Sequence, residues 1–255
     1  MSNGGALKKT TLGLFGGMGA LFEAVGFVVT TPAVWTLAMI PVAVALVLAG
    51  GCGALGLWGA AALTTHLVGT PEGGLAIAGA WALRILLGLL ALFVSIVVAM
   101  SLAQPLSGFA LERIARAQEK KLGGPAWPDQ PFGESLVRSL GVTFTALLLG
   151  LPVLALLTLV TVLVPPAAFV TVPLKFVVTA LMIAWDFLDY PLSVRGTSVG
   201  GRLRFVGAHF WAVLGFGVAS GLILLVPGVG LFLLPIGVAG ATRLVFAQER
   251  LMLRP

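Results

Sequence analysis

Charge is what this chain has least of. Asp, Glu, Lys and Arg make up 9% of its 255 residues, against roughly a quarter in a soluble domain. Hydrophobic residues make up 59%, and mean hydropathy is +1.10. So few charges cannot build a solvated surface, so lipid must cover much of what water would otherwise cover. Cysteine is nearly absent too: Cys52 stands alone in an apolar segment, which excludes a disulfide framework and a thiolate metal centre. The two histidines, His66 and His209, lie far apart at the ends of apolar runs, so neither a metal site nor a cofactor is expected. No nucleophile, base and orienting group can be assembled from such a set, which argues against an enzyme.

What the chain does have is long apolar runs. Residues 1–9 read as a short cytosolic tail. Residues 10–31 are apolar but Gly-rich and carry Glu23, which suits an interfacial helix or a tilted lead-in. Lys8 and Lys9 ahead of Leu12–Phe22 resemble the start of a signal peptide. No small-x-small site follows before Glu23, so no cleavage is expected. Pro32 opens an uncharged span to about Trp58, with Pro41 as a point of kinking. Residues 59–74, with His66, Pro71 and Glu72, read as an external loop. Ile85 to Ala103 gives nineteen uncharged residues, about 28 Å of helix against a hydrocarbon core of about 30 Å. Beyond Gln104 and a bend at Pro105, the helical pattern continues. Leu106, Ala110, Ile114 and Ala117 share one face; Glu112, Arg113, Arg116, Glu119 and Lys120 take the other. This predicts an amphipathic cytosolic extension with Glu112 and Arg116 paired at i,i+4.

Two hairpins follow. The first rises from about Arg138 to Val164, turns at Pro165–Pro166 and returns to Tyr190; the second rises from about His209 to Val226, turns at Pro227–Gly228 and returns to about Arg250. Only ten uncharged residues separate Lys175 from Asp186, and twelve separate Gly230 from Arg243. Either Lys175 snorkels outward and residues 167–174 complete the span, or both hairpins enter the bilayer and turn back within it. The second is favoured. The expected fold is thus all-α: two long transmembrane helices plus two helical hairpins, hemi-penetrating. It forms one membrane domain over 1–255, with the interfacial segment, spans and extension in 10–121 and the hairpins in 134–250.

Thirteen of the fifteen Lys and Arg residues fall on the side of the N-terminus, leaving Arg84 and Lys175 opposite. The positive-inside rule then places both termini in the cytoplasm, in a composition that suits a bacterial inner membrane. The net charge of +6 does not signal nucleic acid, because the basic residues flank apolar runs instead of gathering on one aromatic-studded face.

Several motifs read as packing. Gly51, Gly53 and Gly56 form a G-x-G-x-x-G inside or at the end of a span, without the strand a dinucleotide site requires. Gly196, Ser198 and Gly200 form a G-x-S-x-G without the sheet of a nucleophile elbow. Gly217 and Gly221 form a G-x-x-x-G that fits close helix approach, within or between subunits, or simple glycine abundance. Asp186 and Asp189 share one helix face ahead of Arg195. They suit either ion pairs with Arg195, Arg202 or Arg204, or a polar path that Gln104 and Glu112 join.

The chain also resembles a family. Gly26-Phe27, Pro32, Trp35 and Ile40-Pro41 look like the opening of the CysZ-like membrane proteins, and Gln104-Pro105-Leu106-Ser107 with Glu112 like the exit of their second helix. Asp189-Tyr190-Pro191-Leu192, Arg195-Gly196, Gly215-Phe216-Gly217, Pro227, Pro235 and Gly240-Ala241-Thr242 look like the rest of their signature. The eukaryotic etoposide-induced 2.4 proteins are more distantly similar. The resemblance implies two full transmembrane helices, two hemi-penetrating hairpins, a homo-oligomer and sulfate uptake serving cysteine synthesis. In sulfate-handling members arginines follow the Gly-Phe segment; here that stretch is Val28-Val29-Thr30-Thr31, with no cation. A dianion near Gly26, Phe27, Thr30 and Thr31 would rely on backbone N–H groups, helix N-termini and threonine hydroxyls. Two functions stay open: a permease or channel for a small anion such as sulfate, and a non-transporting scaffold that binds lipid or protein partners.

Overall fold

The computed structural model describes residues 12–128, 132–226 and 230–253. Regular structure among them is helical throughout: α1 (Leu14–Thr30), α2 (Pro32–Val68), α3 (Gly74–Leu106), α4 (Gly108–Lys121), α5 (Phe132–Leu163), α6 (Ala168–Val194), α7 (Val199–Ala208), α8 (Phe210–Leu224) and α9 (Gly230–Leu253), with a 3-10 turn at Pro165–Ala167. An apolar run bound for hydrocarbon has to bond its backbone within its own segment, and helix is the form that does so. Among the described residues four helical stretches are long and apolar enough to cross a membrane: Pro32–Val68, Gly74–Ala103, Leu140–Leu163 and Pro165–Val194. This is an all-α integral membrane protein.

The chain divides into two compact units, Met39–Ser107 and Met1–Ala38 with Gly108–Pro255. The first unit holds most of α2 together with α3. Leu46, Val47, Trp58, Leu86 and Phe93 stand exposed on it, as lipid-facing side chains do. The expected loop over 59–74 is shorter than the sequence suggested, because α2 runs on to Val68. Ala60, Ala61, Ala62 and Leu63 are strong helix formers, and Thr64 and Thr65 return their hydroxyls to the Ala60 and Ala61 carbonyls at 2.7 and 3.0 Å. The turn is left to residues 69–73. The G-x-G-x-x-G is a packing seam: a Cβ on Gly56 would sit 3.0 Å from that of Ala91, and one on Gly53 3.6 Å from Leu92.

In the second unit α8 is the central rod. Its sequence is apolar on every side, and such a helix is buried on every side; Ala212, Val213 and Phe216 are fully enclosed. Helices α1, α6 and α9 pack around it. Glycine sets the separations. A Cβ on Gly17 would overlap the Ala212 carbonyl, one on Gly215 the Leu14 carbonyl, and one on Gly217 the Ala180 carbonyl. The G-x-x-x-G therefore works within the chain, through Gly217 against α6. α7 and α8 meet at 94°, turning at His209.

α5 and α6 make the first hairpin, joined through the prolines at 165 and 166, but both arms are long and apolar enough to cross, where a returning arm too short to do so was expected. Trp185 Nε1 donates to the Val142 carbonyl at 3.2 Å near one end, and the Thr161 and Thr171 hydroxyls meet at 2.7 Å near the apex. α6 spans 27 residues, and Lys175 lies two turns inside it, so residues 167–174 extend the returning arm. α8 has 15 residues, about 22 Å at 1.5 Å each. The Pro227–Gly228 turn lies outside the described residues.

Two features depart from expectation. α7 was not foreseen. It arises because Gly196, at φ +66°, closes α6: the Gly196 N–H bonds the Ser193 carbonyl and the Thr197 N–H that of Leu192. Ser198 then accepts from the Gly201 N–H at 3.3 Å and caps the new helix. The G-x-S-x-G is thus a helix stop followed by a helix start. α4 also differs from a solvated extension. Packed against α6 and α9, it buries Glu112 and Glu119 on what was expected to be its water-facing side, and Gln118 as well.

Candidate functional site

Gly26, Phe27 and Thr30 occupy the last turns of α1, and Thr31 follows as its C-cap. Phe27 is buried, while Gly26 and Thr30 are exposed. Thr30 Oγ1 donates to the Gly26 carbonyl at 2.6 Å, which leaves the hydroxyl oxygen free to accept. A helix C-terminus presents carbonyls and the negative end of the dipole, so this segment attracts a cation. α4 brings one. Lys121 Nζ lies 3.4 Å from Thr30 Oγ1 and 5.1 Å from the centre of the Phe27 ring. Trp35 Nε1, just beyond, donates to the Val28 carbonyl at 2.8 Å and pins the start of α2 to this corner. Sequence reading placed no cation here, because Lys121 comes from 91 residues away.

A second polar centre joins α4, α6 and α9. The Arg195 guanidinium bonds Glu119 at 2.7 and 3.1 Å, Glu249 at 2.7 and 3.0 Å, and the Pro191 carbonyl at 2.9 Å. All five N–H donors of an arginine are thereby used. Trp127 lies against the guanidinium, 5.6 Å from ring centre to Cζ. A third centre ties α7 back to α6. Arg202, fully buried, pairs with Asp189 and donates to Ser193 Oγ at 2.9 Å and to the Thr197 carbonyl at 3.0 Å; Ser193 in turn donates to Asp189 at 2.8 Å.

The residues expected to form a polar path or ion pairs therefore scatter. Asp189 and Arg195 sit in separate ion-paired clusters. Glu112 is buried and pairs with Arg116 at 4.0 Å, as its spacing implied. Asp186, half-buried on α6, forms no ion pair among the described residues. The Gln104 side chain lies outside the described residues. Glu119, Glu249 and the Glu23–Arg243 pair escaped sequence reading. The one available signal was Glu119 standing seven residues, two helical turns, after Glu112 on the same stripe. No group of three His, Cys, Asp or Glu side chains among the described residues could hold a metal.

An all-helical membrane protein with a lysine held at the end of its first helix is the class the geometry defines. The family described as sulfate transporter CysZ/etoposide-induced protein 2.4 matches residues 20–235, and the chain belongs to it. Similar relatives bear the name sulfate transporter CysZ. That of Pseudomonas paraeruginosa is 31% identical over 170 residues, 66% of this chain and 69% of the relative. That of Pseudomonas aeruginosa is 30% identical over the same shares, and one from Pseudomonas fluorescens is 27% identical over 65% of this chain and 66% of the relative.

Proposed function

We propose that this protein is a permease or channel for a small anion, sulfate by analogy with its named relatives, and that the end of α1 with Lys121 forms part of the anion's route. One observation carries the reading: where the Val28–Thr31 stretch brings no cation of its own, α4 supplies Lys121 across Phe27 to Thr30. A lysine on a flexible stem suits transient contact with a passing anion better than a saturated arginine fork does. Arg195 and Arg202 are committed to carboxylates inside the fold, so they serve architecture. Asp186 is the carboxylate we assign to the polar route. Intramembrane carboxylates of this kind serve coupling or gating.

The same reading places both termini in the cytoplasm of a bacterial inner membrane and treats α8–α9 as a hairpin that enters the bilayer without crossing it. The 22 Å estimated for α8 supports that depth. Exposed apolar faces such as Leu46, Val47 and Phe93 serve lipid and further copies of the chain in a homo-oligomer.

The test is uptake of radiolabelled sulfate by liposomes carrying the purified protein. Saturable uptake, reduced at least tenfold by Asp186→Asn with the fold intact, is expected. The competing reading is a non-transporting scaffold for lipid or protein partners, favoured by the number of polar residues locked in structural pairs. Absence of flux for sulfate, sulfite, thiosulfate and chloride from a folded protein would select it.

A further inference from the structure

A cavity of about 240 Å³ opens beside the end of α1, lined by Glu23, Phe27, Gln118, Lys121, Leu122 and Arg243. Drug-sized pockets run to roughly 300–1,000 Å³, so this one suits a small ion with some of its water. Its walls come from α1, α4 and α9. Three of its features point to an anion. Two cations, Lys121 and Arg243, face one carboxylate, Glu23, leaving an excess positive charge. Gln118 is 2% exposed, and its side-chain oxygen, which can only accept, has no hydrogen-bond partner. A turn of that amide presents its NH₂ to an incoming oxygen. The third feature is Glu23 itself. Its carboxylate pairs with the Arg243 guanidinium, and the two side chains are 55% and 36% exposed. A carboxylate is chemically half of an oxyanion, so the guanidinium is occupied by a stand-in that belongs to the protein.

We propose that this cavity takes a small divalent oxyanion between Lys121, Gln118 and Arg243, and that Glu23 is a tethered competitor that must leave Arg243 before the anion is fully held. The inference rests on the anion-permease reading and adds to it a site and a control element. With Glu23 in place the cavity offers a net single positive charge and holds the anion loosely. With Glu23 swung out toward solvent, two cations face the two charges of the anion. Such an exchange keeps binding weak enough for release, which conduction requires. The exposed Glu23–Arg243 pair adds little to stability, since surface ion pairs contribute about 0–1 kcal/mol. Both Glu23 and Lys121 can therefore be changed in a protein that still folds.

The experiment is equilibrium binding of radiolabelled sulfate to the full chain in detergent at constant ionic strength, with thermal unfolding as the check on folding. Glu23→Gln is expected to bind about tenfold more tightly than wild type, Lys121→Ala about tenfold more weakly, and Lys121→Arg within a few-fold of wild type. Unchanged or weaker binding by Glu23→Gln overturns the competitor, and unchanged binding by Lys121→Ala overturns the site. Absence of saturable binding in both wild type and Glu23→Gln overturns both. Liposome flux separates this inference from the reading beneath it. If wild type carries sulfate while both variants bind as wild type does, the permease stands and the cavity assignment falls. If no flux occurs but affinity responds as stated, the cavity stands and the permease reading falls.

Discussion

Arg195 and Glu119 hold each other through two parallel hydrogen bonds, Nη2 to Oε1 at 2.7 Å and Nη1 to Oε2 at 3.1 Å, across 76 residues of sequence. Glu119 is almost fully buried, and so is the Arg195 head. Glu249 on α9 takes the adjacent Nε–Nη2 edge of the same guanidinium. One side chain thus fixes α4, α6 and α9 relative to one another. Removing a single member of a buried ionic cluster leaves charge stranded, which costs about 3–5 kcal/mol. Arg195→Ala should therefore lose most of its folded population, read as the midpoint of thermal unfolding in detergent. Arg195→Lys should recover only part of that loss, because an ammonium cannot form two bidentate contacts. A midpoint for Arg195→Ala within a degree or two of wild type would show that the cluster is dispensable.

Asp189 and Arg202 offer a sharper choice, because Asp189 was open to both a structural role and a place in an ion path. It pairs with Arg202, with Ser193 bridging, and we propose on that geometry that its role is structural. Asp189→Asn should destabilise by several kcal/mol, leaving Arg202 buried against a neutral amide. Arg202→Met alone should do likewise, and the double variant should be more stable than the sum of the two losses. Thermal unfolding of the four proteins closes the cycle. Strict additivity would mean that the two residues do not sense each other.

The spans and the first hairpin were legible because they follow from local rules: uncharged runs of crossing length, and prolines at 165 and 166 where a helix cannot continue. The second hairpin's arms were legible as uncharged runs too, although each is shorter than a crossing. α7 was missed because a ten-residue helix between two caps carries almost no periodic signal, and its start and stop, Ser198 and Gly196, looked like part of an enzyme motif. The burial of Glu119 was missed because the periodicity of α4 alone marks its charged stripe as solvated. Only α9 and Arg195, far off in the chain, reverse that. The candidate site divides in the same way. The Gly26–Thr31 segment was proposed from its motif, whereas Lys121, Gln118 and Arg243 lie beside it through tertiary packing, which no local spacing encodes.

Gly217 and Gly221 form one motif but should behave oppositely. A Cβ at Gly217 would collide with the Ala180 backbone, whereas one at Gly221 would meet Ile183 at 3.6 Å, an ordinary contact. Overpacking of this kind costs about 1–3 kcal/mol, so Gly217→Ala should lower the unfolding midpoint clearly. Gly221→Ala should leave it unchanged or raise it slightly, because alanine is the better helix former. Gly17→Ala and Gly215→Ala should resemble Gly217→Ala, since each faces backbone across the α1–α8 contact. If Gly221→Ala were as damaging as Gly217→Ala, the motif would be serving a contact between copies of the chain as well.

Membrane orientation follows from where the cations sit, and it can be read one cysteine at a time. In a Cys52→Ser background, Thr70→Cys would lie in the short turn between α2 and α3, where Arg84 is the nearest Lys or Arg in sequence. Ser2→Cys lies six residues before Lys8, and Val199→Cys lies between Arg195 and Arg202. Cytoplasmic loops retain Lys and Arg because moving them across the bilayer during insertion is unfavourable. An impermeant maleimide added to intact cells should therefore label Thr70→Cys at once, and the other two only after the membrane is opened. Labelling of Val199→Cys from outside, with Ser2→Cys still protected, would place α7 on the opposite face from the N-terminus. The thirteen-to-two count would then no longer describe the topology, since Arg195, Arg202 and Arg204 would have crossed.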